Sequence, residues 1–508
     1  MFASQLRSIA RKSEESMKNK LWLEAEELHE EMDKPHDECG VFGIYLKEGT
    51  GVVGPTYHAL YALQHRGQDS CGICVNTDGV MKKYRENGMV TEVFTRDMLE
   101  KITEGNIAIG HCRYAPADMK SRSNAQPLLI NHQKGSMALA CNGSLTNAAE
   151  LRDELEAGGA IFHSTADTEV IAYIIIQERL KCGSIEEAVF NAMKNIKGAY
   201  SMVVMSPTKL IAARDPHGFR PLCMGHRGED LVFASESCAL DSVGATFDRD
   251  IAAGEVVVVS KDGVDSMQME NACHDGLCVF EFVYTARPDS VVDGSSVHEA
   301  RKRAGAFLAL EHPVQADVVI GVPDSGLDAA LGYAQQSGIP YGIGFLKNKY
   351  VGRTFILPDQ KERQNMVRIK LNAIRSTVEG KRVVMVDDSI VRGTTMAHIV
   401  NLLREAGAKE VHVRLSSPPF TNVCYFGTDV SKRETLIAAT HTVEEICQII
   451  GADSIGYLPL EACDKIAAGS KCKFCKGCFT GEYPIAPPVR KHINKYDQPL
   501  TIEQKNKK

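Results

Sequence analysis

The sequence predicts a mixed α/β and α+β protein with more than one folded domain. A chain of 508 residues is too long for one ordinary hydrophobic core and indicates two or three domains. Val383 to Val386 form a short apolar run, which is typical of a strand buried on both faces of a parallel sheet. After a short loop, an apolar stripe from Met396 to Leu403 indicates an amphipathic helix. This strand–loop–helix unit places a parallel α/β domain in the second half of the chain.

The charge balance and the hydropathy exclude several classes of protein. The chain has 58 basic and 65 acidic residues and a net charge of −7, so no overall basic field attracts nucleic acid or anionic membrane. It contains no apolar run of about 18 residues, so no segment is predicted to span a membrane. The acidic residues between Glu14 and Glu38 argue against a transit peptide. We therefore expect a cytoplasmic protein whose cysteines are reduced, reactive or metal-bound rather than paired in disulfides.

Residues 1–38 differ from the rest of the chain. They are mostly charged, and the spacing of apolar residues from Leu21 to Met32 predicts a short helix that ends before Pro35. At Asp37 the composition changes to a strand-like pattern. We interpret the first 38 residues as a leader that precedes the first folded domain.

A loop of acidic and hydroxyl side chains follows the strand at residues 383–386. Asp387 and Asp388 come directly after it, and Gly393 lies where the loop enters the helix. Loop amides and the helix dipole favour a phosphate, and adjacent carboxylates can accept hydrogen bonds from vicinal ribose hydroxyls. No Gly-Lys-Ser/Thr is present, so this is not a Walker loop. An ordinary capped turn is the alternative interpretation of Asp-Asp alone.

The residues from Val383 to Thr395 resemble the phosphoribosyl pyrophosphate (PRPP) motif of type I phosphoribosyltransferases. An earlier strand and loop, from Val318 to Gly326, would then supply the other half of the site. The basic segment that begins at Leu346 resembles the mobile flap that closes over PRPP. The resemblance implies a parallel α/β sheet and Mg²⁺ bound by Ser325, Asp387 and Asp388. The implied PRPP-binding residues are Asp324, Ser325, Gly326, Lys347, Tyr350, Arg353, Asp387, Asp388, Ser389, Arg392, Gly393, Thr394 and Thr395.

A cysteine at the start of the first folded domain belongs to a second set of motifs. Alone, Cys39 would more often be a small core residue than a nucleophile. Five motifs follow it: Gln64–Asp69, Gly110–Tyr114, Ser123–Pro127, Asn142-Gly143 and Ser164–Asp167. Their order resembles that of class II glutamine amidotransferases. These are N-terminal-nucleophile (Ntn) hydrolases, so the resemblance implies an αββα sandwich.

The resemblance also implies that the leader is cleaved between Glu38 and Cys39. A thiol with a pKa of about 8.5 is only a few per cent thiolate at neutral pH, and the new α-amine, with a pKa of about 7.7, can act as its base. Cys39 would attack the side-chain amide of glutamine, while Asn142 and Gly143 stabilise the oxyanion. The implied glutamine-binding residues are Arg66, Arg113 and Asp167.

Three residues depart from the pattern of that family. Cys141 and Ser144 flank the Asn-Gly pair where the family usually has His and Asn, and Pro116 stands where threonine is expected. Proline lacks both the hydroxyl and the backbone N–H. We therefore expect weaker or differently oriented glutamine binding.

The densest run of cysteines lies near the C terminus. Cys475 and Cys478 have the Cys-x-x-Cys spacing of a metal chelate, for which zinc is the usual first interpretation. No matching pair lies nearby, so the remaining ligands must come from distant segments. By resemblance to the amidophosphoribosyltransferases that hold a 4Fe–4S cluster, Cys278 and Cys424 complete a set of four thiolates. Cys472 is an extra thiol that could replace one of the four.

Together the matches resemble the iron-sulfur-containing, leader-bearing amidophosphoribosyltransferases. We expect a leader at 1–38, a glutaminase domain at 39–272, a phosphoribosyltransferase domain at 273–460 and a C-terminal segment at 461–508. The resemblance implies an enzyme that forms 5-phosphoribosylamine from PRPP and glutamine-derived ammonia, in the committed step of purine synthesis.

Two other functions remain open. One is an ammonia-dependent phosphoribosyltransferase with a weakened glutaminase, and the other is a non-catalytic regulator that binds PRPP or nucleotides. The regulator would predict loss of Cys39, Asp387 or Asp388, which are all present. The resemblance implies one Mg²⁺ and one 4Fe–4S cluster per subunit, purine nucleotides as inhibitors, and a homodimer or homotetramer. It implies no nucleic-acid or membrane partner.

Overall fold

The computed structural model describes residues 39–114, 121–348, 350, 371–428, 430 and 432–489. The predicted leader and most of the predicted flap, including Arg353, lie outside the described residues, as does Pro116. Among the residues described, no helix is long and apolar enough to cross a membrane.

Two antiparallel sheets form the first half of the fold, and strands are numbered along the chain. The first sheet has seven strands, in the spatial order β11 (Thr246–Asp250), β9 (Cys223–Arg227), β10 (Asp230–Ala234), β1 (Gly40–Tyr45), β4 (Ile107–Arg113), β2 (Ser70–Thr77) and β3 (Val80–Asn87). The second has six, in the order β13 (Gly263–Gln268), β12 (Glu255–Ser260), β8 (Leu210–Arg214), β7 (Ser201–Met205), β6 (Gly135–Asn142) and β5 (Leu128–His132).

The two sheets pack face to face between layers of helices. Val41, Ile109, Ala140 and Val203 belong to one fully buried core between the sheets. Apolar side chains of α1 (Val53–Ala62) and α7 (Ser237–Ser242) cover the outer face of the first sheet. Those of α5 (Asp167–Lys181) and α6 (Ile185–Ala192) cover the second. These layers are the αββα sandwich that the sequence predicts.

The second half of the fold is built on a parallel sheet. Its strands lie in the order β17 (Val318–Gly321), β20 (Arg382–Asp387), β21 (Glu410–Leu415) and β22 (Ser454–Tyr457). Every neighbouring pair is parallel. One hydrophobic core lies on each face of the sheet, which explains why Val383 to Val386 are all apolar. The predicted parallel α/β domain is confirmed.

The C-terminal segment returns to the start of this second half. Strand β14 (Leu277–Cys278) pairs in parallel with β23 (Phe474–Cys475), so that Cys278 lies opposite Cys475. Two further small pairs are β15 (Val291–Val292) with β16 (Ser295–Ser296) and β18 (Phe345–Lys347) with β19 (Leu371–Ala373). A π-helical turn spans Glu281–Thr285.

The remaining helices connect or cover these sheets. They are α2 (Val90–Val93), α3 (Arg96–Leu99), α4 (Ala148–Ala157), α8 (Val297–Glu311), α9 (Gly326–Ser337), α10 (Arg375–Val378), α11 (Thr394–Glu405), α12 (Ile437–Thr440), α13 (Val443–Ile450), α14 (Leu460–Ile466) and α15 (Gly477–Thr480).

Helices α8 and α9 approach so closely that glycine is required where they cross. A Cβ on Gly305 would overlap the carbonyl oxygen of Ala329. We expect Gly305→Ala to lower the free energy of unfolding by about 1–3 kcal/mol, because two backbones would have to separate. Gly54→Ala is the matched control, since Gly54 lies in α1 with open space around its Cα. Urea denaturation that gives equal midpoints for the two variants would contradict this packing.

Candidate functional site

Cys39 lies directly before β1, where the first sheet begins. Burial raises the pKa of its thiol, and the charge of Arg113 and a hydrogen bond from the backbone of Tyr114 oppose that rise. The thiol is therefore mostly protonated at neutral pH and needs a base before it can attack a carbonyl carbon.

An unpaired amide lies at the end of strand β6. Asn142 is fully buried, yet neither its Nδ2 nor its Oδ1 has a hydrogen-bond partner among the described residues. Gly143 follows with φ +127°, and a Cβ there would overlap the carbonyl oxygen of Ala199. A buried donor without a partner costs about 1–3 kcal/mol. The Asn142 amide is thus available to stabilise an oxyanion, in the role predicted for it.

Backbone contacts hold Asn142 in place through its neighbour. The Cys141 N–H donates to Gln126 Oε1 at 2.8 Å, and the Cys141 carbonyl accepts from Gln126 Nε2 at 3.2 Å. His111 Nε2 lies 3.1 Å from the same carbonyl. The Cys141 side chain faces the core beneath the second sheet. Cysteine at this position therefore serves packing, while Gln126 and His111 fix the backbone.

Two of the three residues predicted to bind glutamine, Arg113 and Asp167, lie within range of each other's charge, and Arg113 also lies within range of Cys39. Arg113 ends β4; burial lowers its pKa, and the charges of Cys39, Asp69 and Asp167 oppose that shift. Asp167 begins α5 and accepts a hydrogen bond from Leu145 N at 2.9 Å. Burial raises the pKa of Asp167, whereas Arg152 and Arg113 act against the rise. An arginine and a carboxylate in mutual range are suited to an α-carboxylate and an α-ammonium.

The third residue, Arg66, has a different position. Its guanidinium is fully buried, and its Nε donates to the carbonyl of Cys39 at 3.2 Å. Its other nitrogens contact the carboxylates of Glu236 and Glu281. Arg66 thus holds the Cys39 backbone, and its part in glutamine binding stays a prediction. Sequence reasoning missed both carboxylates.

The predicted PRPP loops lie side by side at the carboxyl ends of β17 and β20. Val322 N donates to the carbonyl of Val386 at 2.9 Å, which joins the two loops where the strands end. Ser325 Oγ donates to the carboxylate of Asp388, and Ser389 Oγ donates to the same carboxylate. A Cβ on Gly326 would overlap the Val386 carbonyl. Neighbouring parallel strands end at one edge of the sheet, which is where such folds bind ligands.

The rest of the predicted PRPP site shows a mixed outcome. Gly393 has φ +92° and caps the N terminus of α11, so it supplies the turn that the loop needs. Lys347 contacts the carboxylate of Asp324 in the other loop. Tyr350 is 99% exposed, so the structure does not bring its side chain onto the loops. The other predicted residues of this loop are Arg392, Thr394 and Thr395, at its junction with α11.

Four cysteines from three distant segments line one cavity between the two halves of the fold. They are Cys278, Cys424, Cys475 and Cys478, and we call them the cysteine cage. Arg220 lies in the same wall. Burial raises the pKa of Cys278 and Cys475 to about 12, and the charge of Arg220 opposes this for both. Phe426 N donates to Cys424 Sγ at 3.4 Å.

The spread of the cage sulfurs distinguishes between metals. In the part of the chain that the structure describes, one group of three potential metal ligands has its ligand atoms within 4.8 Å of one another. The group consists of His217, Cys273 and Asp275, and it lies outside the cage. Four sulfurs around one zinc ion, with bonds of about 2.3 Å, would lie only about 3.8 Å apart. Among the described residues, no three of the cage sulfurs lie within 4.8 Å of one another, as they would around one zinc ion. Cys472 lies elsewhere, with its backbone N–H 2.8 Å from Asp293.

Comparisons with known proteins agree with both halves of this site. Residues 111–242 match the family model described as glutamine amidotransferase domain, and residues 295–416 match the one described as phosphoribosyl transferase domain. The amidophosphoribosyltransferase of Bacillus subtilis is 49% identical over 455 residues, which are 88% of this chain and 94% of that protein. The one from Methanocaldococcus jannaschii is 47% identical over 88% of this chain and 97% of its own.

Solved structures show the same likeness over nearly the whole described chain. The B. subtilis glutamine PRPP amidotransferase, solved with ADP and GMP, is 47% identical with a TM-score of 0.82 and covers 88% of this chain and 97% of its own. A structure described as the allosteric regulatory enzyme of purine biosynthesis is 46% identical with a TM-score of 0.83, over 90% of this chain and 100% of its own.

Proposed function

The chain belongs to the amidophosphoribosyltransferase family, and from this premise we propose which of its residues carry each half of the reaction. The enzyme catalyses the first step of purine biosynthesis. Ammonia from glutamine replaces the pyrophosphate of PRPP, which yields 5-phosphoribosylamine, glutamate and pyrophosphate. The observation that carries the assignment is the joining of two unrelated sites on one chain: Cys39 within range of Arg113, and paired loops at a parallel sheet edge.

In the glutaminase half, Cys39 is the nucleophile. Cleavage before Cys39 frees an α-amine that takes the thiol proton. The thiolate attacks the side-chain carbonyl of glutamine, ammonia leaves, and water then hydrolyses the thioester to glutamate. Asn142 Nδ2 and the Gly143 N–H donate to the oxyanion, and one such donor contributes about 3–4 kcal/mol. Arg113 and Asp167 orient the amino-acid end of glutamine.

In the phosphoribosyltransferase half, the loop amides bind phosphate while Asp387 and Asp388 accept hydrogen bonds from the ribose hydroxyls. Ser325, Asp387 and Asp388 offer the hard oxygen ligands that suit Mg²⁺. When bound there, Mg²⁺ neutralises the departing pyrophosphate. Lys347, with Tyr350 and Arg353 of the flap, excludes water as ammonia attacks C1 of the ribose.

The cysteine cage holds a 4Fe–4S cluster. Its four thiols fit that group because they converge on one buried cavity and are spread more widely than the ligands of one zinc ion. Burial raises the pKa of Cys278, Cys475 and Cys478, so without metal these three thiols are neutral and binding must release protons. The cluster supplies a covalent tie between distant segments and takes no part in the transfer reaction.

The proposal also covers the compartment, the oligomeric state and the inhibitors of the enzyme. We infer a cytoplasmic homodimer or homotetramer that purine nucleotides inhibit. The B. subtilis structure with ADP and GMP supports the part of this inference that concerns nucleotides. Size measurement with and without these nucleotides tests the assembly.

The two halves should fail separately. We expect Cys39→Ala to abolish glutamine-dependent synthesis but to retain ammonia-dependent synthesis, because the PRPP loops need no protein nucleophile. Asp387→Ala combined with Asp388→Ala should lose both activities. Assays of phosphoribosylamine with each nitrogen source measure the split. Unchanged PRPP affinity in the double variant would contradict the ribose role of these carboxylates.

Removal of the leader should precede glutaminase activity. Only cleavage between Glu38 and Cys39 gives the nucleophile an adjacent α-amine. The intact mass of active protein is therefore expected to correspond to a chain that starts at Cys39. A fully glutamine-active preparation that retains Met1 would refute this mechanism.

The cage should contain iron. Protein purified without oxygen is expected to be brown, with about four irons per chain. Cys424→Ser should be colourless and less stable, because one tie between segments is lost. Cys447→Ser is the matched control, since Cys447 is half-buried on α13 and lies outside the cage. Colourless anaerobic protein with one zinc and full activity would rule out the cluster.

A further inference from the structure

A continuous row of buried charged residues connects Cys39 with the cysteine cage. It begins at Arg66, whose Nε holds the Cys39 carbonyl at 3.2 Å. Two nitrogens of Arg66 contact the carboxylate of Glu281, at 3.0 and 2.7 Å. Arg66 and Glu281 are both fully buried. The backbone of the nucleophile is therefore fixed by a carboxylate that belongs to the second half of the fold.

Glu281 is shared between two arginines. Its Oε1 also lies 3.4 Å from Arg220 Nη1. Arg220 in turn donates to the carbonyl of Phe426, at 2.8 Å from Nη2 and 3.2 Å from Nε. Burial lowers the pKa of Arg220, but Cys278, Glu281, Cys424 and Cys475 together raise it above its ordinary value. Arg220 thus bridges Glu281 and the wall of the cage.

Both contacts of Arg220 lie next to cage cysteines in the sequence. Glu281 follows Cys278 by three residues, and Phe426 follows Cys424 by two. The π-helical turn that carries Glu281 is itself held, because Arg301 donates to the carbonyls of Phe282, Tyr284 and Ala286. A displacement of Cys278 would therefore move Glu281 instead of being absorbed by a loose turn.

Glu281 is one of the two carboxylates that neutralise the buried guanidinium of Arg66. Arg66 and Arg220 carry two positive charges, and Glu236 and Glu281 carry two negative ones. Glu236 is already held by His65 and Arg66 and also accepts from Arg287 N and Ser290 Oγ. Without the charge of Glu281, the buried guanidinium of Arg66 would keep only one of its two carboxylate partners. Breaking a buried pair in this way is strongly unfavourable, so Arg66 would shift and release the Cys39 carbonyl.

We propose that Glu281 is a positioning residue that couples the cysteine cage to the nucleophile of the glutaminase. The cluster assignment of the cage rests on the proposed function, whereas the link from Glu281 to Cys39 rests on the contacts above. With the cage closed, Cys278 and Cys424 hold Glu281 and the Phe426 carbonyl in place, and Arg66 aligns Cys39. When the cage opens, alignment of Cys39 is lost before the PRPP loops are affected.

The test is Glu281→Gln, assayed in the full-length enzyme with glutamine and, separately, with ammonia. Gln keeps the shape of Glu but removes its charge. We expect the ratio of glutamine-dependent to ammonia-dependent kcat/KM to fall at least about tenfold, because small misplacement of a reacting group is costly. Ammonia-dependent activity and iron content should stay near those of the unsubstituted enzyme. An unchanged ratio would overturn the proposal.

Two further variants separate coupling from general damage. Glu255→Gln is the matched control, since Glu255 is a buried carboxylate paired with Arg249 at 2.7 and 2.8 Å on β12, and its activity ratio should not change. Arg220→Lys keeps the charge but loses the two-point grip on Phe426, so it should lower the ratio less than Glu281→Gln does. If Glu281→Gln fails to fold, an unchanged ratio in Arg220→Lys refutes the coupling.

Iron content distinguishes the two levels of the argument. If preparations contain no iron while Glu281→Gln still lowers the activity ratio, the cluster assignment is wrong and the coupling of Glu281 to Cys39 stands. If iron is present and the ratio in Glu281→Gln is unchanged, the cluster assignment stands and the coupling is wrong.

Discussion

The buried pairing of Arg66 and Arg220 with Glu236 and Glu281 is the constraint on which the junction between the two halves of the fold depends. Burial alone would lower the pKa of Arg66, but Glu281 and Glu236 raise it well above its ordinary value. Burial would likewise raise the pKa of Glu236, but His65 and Arg66 hold it well below the usual range. Each of these buried charges is therefore stable only because its partners are present. The arrangement joins the sandwich to the second half of the fold, since Glu281 of that half pairs with Arg66 and Arg220 of the sandwich.

Glycines allow close backbone approaches at both sites. At the PRPP loops, Gly326 allows helix α9 to start directly against the carbonyl of Val386, which brings Ser325 onto Asp388. At the glutaminase site, Gly143 allows the chain to turn beneath Ala199 while Asn142 keeps its amide free of partners. In both places a close backbone approach puts a polar group where a substrate must bind. The sites are thus consequences of backbone packing as much as of the side chains that perform the chemistry.

The sequence predicted most of the fold and only part of the site, and the reason lies in the range of the interactions. The strand at residues 383–386 and the loops after it are local patterns, so their period and turn residues sufficed. Short motifs likewise led to the prediction of Cys39, Asn142 and Gly143 as site residues. The role of Arg66 could not be found in this way, because its partners Glu236 and Glu281 lie far along the chain. The resemblance placed Arg66 at the glutamine pocket, and the three-dimensional pairing shows which carboxylates hold it there.

The cysteine cage also shows that sequence patterns predict only part of a site. Its sulfurs were grouped correctly from distant parts of the chain, yet no sequence pattern indicated that Arg220 would stand among them. A cage of four thiolates needs positive charge and N–H donors nearby, and Arg220 and Phe426 N supply one of each. Because Arg220 also contacts Glu281, the residue that balances the charge of the cage also couples the cage to the sandwich. The Arg220 guanidinium therefore contributes both to the stability of the cage and to the alignment of the nucleophile.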